Sequence, residues 1–189
     1  MSSFDRRSIR YLTLALLAIG IGLFCFSPEA KANPAEDSER EARLRAAFIF
    51  NFASFTEWPS TNEQEKFRIA IWKNSSANEA AQKELAGKLI KGKPIEVTSL
   101  AGDETTAGVK LIIIDSDSGE AALKKFLAGI GTGPTLTVSR FETHCAQGVI
   151  VCFQKEVDKL RFKINKGALD KAGLKMSSQL LKLARTVEN

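Results

Sequence analysis

The chain has 189 residues, 44% of them hydrophobic and 26% charged, and a formal net charge of +5. That length suits one domain with a sizeable core, and its lysines are scattered among acids, so no basic stripe marks a nucleic-acid binder. The only histidine, His144, makes three soft ligands with Cys145 and Cys152, short of a closed tetrahedral metal site, and no cofactor motif is present.

Arg6, Arg7 and Arg10 precede the apolar run Tyr11–Phe26, and Ala30-Lys31-Ala32 supplies the small-x-small pattern of a signal-peptidase site. Residues 1–32 therefore read as a cleaved signal peptide, and residues 33–189 as a single exported domain. Cleavage takes away four basic and two acidic side chains, which lowers the net charge from +5 to +3. It also removes Cys25. Cys145 and Cys152 remain, in a compartment where disulfides persist, and the even count points to a bridge between them.

Ser38 and Glu41 have the spacing of a capping box and predict a helix that Pro59 stops. Leu44, Phe48, Phe52 and Phe55 recur at helical spacing and predict its buried stripe, with Asn51 as a buried polar neighbour. Phe67–Trp72 alternates like a strand. Asn78–Lys88 reads as a helix, Pro94–Thr98 as a short strand, and Leu111–Ile114 as a central strand covered on both faces. Ser118–Leu127 is expected to be helical with a cap at Ser116 or Ser118, Gly129–Pro134 a loop, and Thr135–Ser139 a strand. Strand and helix alternating at these lengths imply a largely parallel sheet. Val149–Phe153 and Leu160–Ile164 follow as an antiparallel hairpin. A helical turn at Ala168–Lys171 ends at Gly173, and Ser177 or Ser178 caps a closing helix. The expected fold is α/β: a single-domain, three-layer sandwich with a mixed, mostly parallel sheet, a C-terminal antiparallel hairpin and flanking helices.

Catalytic constellations are sparse. Asp115-Ser116-Asp117-Ser118-Gly119 opens a helix after a buried strand, where some α/β folds hold phosphates, but it lacks the required glycine spacing and carries two acids. The lone His144 has no nucleophile-elbow sequence beside it, and the cysteine spacing is not that of a thiol oxidoreductase. Seven extended steps would part Cys145 and Cys152 by roughly 23–25 Å, so a bridge requires the chain to reverse, most simply at Gln147-Gly148. Leu169, Leu174 and Met176 flank Gly173 in short irregular segments. They are candidates for an exposed apolar partner surface, or else they pack beneath the closing helix.

Three blocks resemble the YfiR-like family of periplasmic regulators. They are Ala46–Pro59, with its Ala-Ala-Phe opening and its Trp58-Pro59 end; Phe67–Trp72; and the run from Arg161 to Asn165 continuing through Ala172-Gly173-Leu174 and Ser177-Ser178 to Ala184. Family members often carry paired glycines before the strand at Val149, where this chain has Gly148 alone, flanked by the two cysteines. The resemblance implies a periplasmic, non-enzymatic repressor that binds the periplasmic region of a YfiN-type membrane diguanylate cyclase. It also implies an outer-membrane lipoprotein of the YfiB type as a second partner, a homodimer, and cyclic di-GMP and biofilm formation as outputs. Two competing readings come from the residues alone: a small-ligand binding protein whose pocket is lined by Trp58 and Trp72, and a thiol-active enzyme using Cys145.

Overall fold

A computed structural model describes residues 34–59, 64–73, 77–102, 105–131, 133–156 and 159–188. The signal peptide expected at 1–32 lies outside the described residues.

Helix α1 spans Pro34–Ser54. Proline at the first helical position has no amide to leave unbonded, and Glu36 and Asp37 place negative charge in the first turn, where the helix dipole favours it. The start therefore lies upstream of the expected capping box. Glu41 instead accepts from Arg45 at 2.9 Å and from Lys155 at 2.7 Å. At the other end, Ser54 and Thr56 hydroxyls donate to the carbonyls of Phe50 and Phe52 (2.8 and 2.6 Å), satisfying acceptors the last turn leaves open.

The buried stripe of α1 is Ala42, Ala46, Ile49, Phe52 and Ala53. That is the expected face turned by roughly a third of a revolution about the axis. Leu44 and Phe55 are 45% and 46% exposed, and Asn51 is exposed as well. The alanines let the helix approach the sheet closely, while Phe48 packs at the margin. Phe48 and Phe52 meet Phe153 and Phe162, with ring centroids 4.9–6.0 Å apart. This aromatic quartet joins α1 to the hairpin.

The chain then forms β1 (Thr56–Glu57), β2 (Phe67–Trp72), α2 (Ala77–Leu85), β3 (Leu89–Ile90), β4 (Lys93–Leu100), β5 (Leu111–Ile114), α3 (Glu120–Ile130) and β6 (Leu136–Ser139). A 3-10 helix (Glu142–Gln147) leads into β7 (Val151–Glu156), β8 (Lys159–Asn165), α4 (Lys166–Lys171), β9 (Lys175–Met176), α5 (Ser178–Leu183) and β10 (Thr186–Glu188). The main sheet runs β10-β8-β7-β6-β5-β2-β4-β3. Its pairings from β4 through β2, β5 and β6 to β7 are parallel, and β7–β8 is the expected antiparallel hairpin. The start of α3 departs from expectation: Gly119 occupies its N-cap without a side-chain bond, and Ser118 donates to Ser116 instead.

Side-chain alternation along the strands divides the core in two. Leu111 and Ile113 of β5 join Ile69, Ile71, Val138 and Phe52 under α1. Ile112 and Ile114 join Ala70, Trp72, Leu123 and Phe126 under α3. This is the expected three-layer α/β arrangement, with β5 apolar on both faces because both are covered.

Candidate functional site

The C-terminal third was the expected partner surface, and it folds inward. Asn165 starts the segment: its Oδ1 accepts from Ala168 N and its Nδ2 donates to the Cys145 carbonyl, both at 2.8 Å. One side chain thus caps α4 and ties it to the 3-10 helix. Gly173, at φ 66°, turns the chain back, so that Leu174 N reaches the Leu169 carbonyl. Strand β9 then pairs antiparallel with β1, Met176 opposite Thr56, and Ser177 N donates to the Phe55 carbonyl. Ser177 Oγ caps α5 by accepting from Leu180 N.

These constraints bury Leu169 (2% exposed), Leu174 (2%) and Met176 (8%) in the core beneath α1. The exposed patch expected on these three residues is corrected. Short segments bury these three side chains because the β1–β9 ribbon supplies a second support for them, whereas Leu183 of α5 stays 66% exposed.

The two cysteines are bonded, with Cα atoms 5.8 Å apart and both side chains buried. The reversal falls where the spacing required it. The 3-10 helix ends at Gly148, whose φ of 105° lies in the left-handed region and whose amide donates to the Cys145 carbonyl. The bridge pins that helix onto β7. A buried disulfide of this kind leaves no thiolate, which removes the geometry that a thiol-active enzyme at Cys145 would need.

At the C-terminal ends of β5 and β6, where α/β sheets often bind ligands, lie Asp115, Ser139 and His144. Ser139 Oγ and His144 Nδ1 are 2.8 Å apart, and Phe141 N donates to the same hydroxyl at 3.1 Å. Burial pushes the His144 pKa down, and Asp117 opposes that shift. Arg140 lies 3.5 Å from Asp115 and over the Phe141 ring. Ser139 is fully buried, so no substrate carbonyl reaches its oxygen in this conformation. The group closes the end of the sheet. Among the described residues no cluster of His, Cys, Asp and Glu is arranged to hold a metal ion.

Trp72 stacks on Phe126 (4.1 Å between centroids, 8° between planes) in the core under α3, whereas Trp58 packs edge-on against Phe67 in the core under α1. Standing on opposite faces of the sheet, they cannot line one pocket. That corrects the tryptophan-lined binding site.

Among the described residues, the large apolar side chains at the surface are Leu44, Phe55, Leu89 and Leu183. Leu89 on β3 is 58% exposed, and Phe55, just past the end of α1, is 46% exposed. Lys91, two residues after Leu89, donates to the Thr56 carbonyl at 2.6 Å and covers the Trp58 ring. That bond draws the β3–β4 turn against the end of α1. Phe55 and Leu89 were missed as surface residues. The one signal was Phe55 beside a helix end.

A comparison of the sequence with curated proteins finds no match. Among solved structures, the fold is similar to a conserved domain protein from Vibrio cholerae, with a TM-score of 0.52 and 11% identity over 78% of this chain. The chain spans 60% of the length of that relative. No helix among the described residues is long and apolar enough to cross a membrane. The family model described as YfiR/HmsC-like matches residues 42–185, from the first buried alanine of α1 to the approach to β10, so the chain belongs to the YfiR/HmsC-like family.

Proposed function

We propose that this chain represses a membrane diguanylate cyclase of the YfiN type by binding its periplasmic sensor region, and thereby controls cyclic di-GMP and biofilm formation. The observation that carries this reading is the family match, which runs through nearly the whole folded domain. The family is known for periplasmic regulation of diguanylate cyclases. Repression requires no reaction by the repressor. Binding one of two cyclase states tenfold more tightly biases their equilibrium by about 1.4 kcal/mol. In this reading the domain works in the periplasm after losing residues 1–32. A YfiB-type outer-membrane lipoprotein withdraws it from the cyclase, and a homodimer is its unengaged form.

We assign the cyclase contact to Phe55 and Leu89. Exposed apolar side chains held on a rigid frame make good anchors for a protein partner, and the Lys91–Thr56 bond supplies that frame. The test is capture of a YfiN-type cyclase from membranes by the purified domain, with Phe55→Glu and Leu89→Glu for comparison. Both variants should keep the wild-type thermal transition, since exposed substitutions usually change stability by less than about 0.5 kcal/mol. Both should lose capture and raise cyclic di-GMP in cells. Undiminished capture by the double variant would reject this surface. Failure of the wild-type domain to hold the cyclase would reject the partner.

A further inference from the structure

The sheet is open along part of its length. Strands β5 and β6 pair at four positions, but β6 and β7 pair at only two, Val138 with Val151 and Ser139 with Cys152. Beyond that point the strands separate. The Ile150 amide donates to the Thr137 hydroxyl at 3.0 Å, a side-chain bond standing where a ladder bond would run. A cleft of about 520 Å³ occupies the gap, walled by the C-terminal end of α3, the end of the 3-10 helix and α4. That volume is within the range of small-molecule sites.

The lining has a definite chemistry. Leu127, Ile130 and Ile150 give it an apolar floor, and glycines at 131, 133, 148 and 167 leave backbone open at the rim. Of the described residues in the lining, Lys171 is the only charged one. Among the described residues no carboxylate is paired with it. Gln147, in the wall, keeps its Oε1 out of solvent with no hydrogen-bond partner. The other polar groups are already committed: Asn165 to Ala168 and Cys145, Thr135 to the Val109 carbonyl, and Thr137 to Ile150.

We propose that this cleft binds a small amphipathic anion. Its apolar body lies on Leu127, Ile130 and Ile150, and its acid group meets Lys171. The site is separate from the Phe55–Leu89 surface, and the inference does not depend on the cyclase reading.

The test uses 3-phenylpropionate and its neutral analogue 3-phenylpropanamide as probes, titrated into the ¹⁵N-labelled domain. The amides of Gly131, Gly133, Gly148 and Gly167 should shift together and saturate, with the acid binding roughly fivefold more tightly than the amide, as a partly screened ion pair allows. Lys171→Met keeps the apolar stem and should abolish that preference while the same glycines still shift. Ala146→Phe, which fills the cleft from an exposed position on the 3-10 helix, should remove both responses without altering the thermal transition. Shifts that do not saturate, that map elsewhere on the domain, or that keep the acid preference in Lys171→Met would overturn the proposal.

Discussion

Phe52 and Phe55 lie three residues apart on the same aromatic block, and the structure predicts opposite consequences for their loss. Phe52 is fully buried and touches the rings of Phe48, Phe153 and Phe162, the closest at 4.9 Å between centroids. Phe52→Ala deletes a ring from a close-packed interior, for which transfer and cavity costs together come to about 3–5 kcal/mol. Against a total stability of about 5–15 kcal/mol, that is a large fraction. For a domain of this size it corresponds to a fall of roughly 10–15 °C in Tm. Phe55→Ala, at a half-exposed ring, should change stability by less than about 0.5 kcal/mol. Urea unfolding of both variants measures the contrast, with the m-value as the check that the unfolding transition itself is unchanged. A Phe52→Ala protein of wild-type stability that no longer bound its partner would refute the packing argument and make α1 a docking helix.

Mass spectrometry of the non-reduced digest should recover a peptide linking Cys145 to Cys152, and reduction should lower the unfolding free energy by about 2.5 kcal/mol, the loop-closure term for so short a segment; unchanged stability after full reduction would refute it. Leu174→Glu should cost about 3–5 kcal/mol, because it buries an unpaired charge where Leu174 is now 2% exposed; a folded variant that merely lost repression would return Leu174 to a partner surface. Acidification should weaken the fold through His144. Its folded pKa lies below the ordinary 6.5, so the unfolded chain takes up the proton first. The stabilisation is present above the unfolded value and is lost as pH falls through the folded one. His144→Asn should flatten that part of the stability–pH curve, and an unaltered slope would refute the assignment.

Much of the fold could be read from single segments. Leu111–Ile114 has no polar residue and lies at the centre of the sheet, covered on both faces. The β7–β8 hairpin follows from alternation in Leu160–Ile164, and the reversal at Gly148 follows from the reach of a disulfide. What escaped sequence reasoning depends on contacts between distant segments. The orientation of α1 escapes periodicity because its largest side chains are not its most buried ones: Ala42, Ala46 and Ala53 face the sheet and let it come close. Strands β1 and β9 have two residues each, too few for any periodicity, and without them Leu174 and Met176 looked unsupported. The cleft beside β6 arises from where one strand pairing stops. No motif records that.

The β1–β9 ribbon also bears on how the chain reaches this state. Thr56 and Met176 meet across about 120 residues of sequence, and closing a loop of that length costs about 4 kcal/mol in chain entropy before the contact returns anything. Pairing of this kind slows folding, since it depends on segments far apart along the chain. The end of α1 is held from two sides, by the Lys91 bond to Thr56 and by β9, and the second support lies far downstream in the chain. Until the β7–β8 hairpin brings Phe153 and Phe162, Phe48 and Phe52 of α1 stand without the rings that cover them, sticky toward other chains and toward chaperones. Segments far downstream thus decide how long α1 is at risk, and truncation ahead of Met176 should be read out first as aggregation.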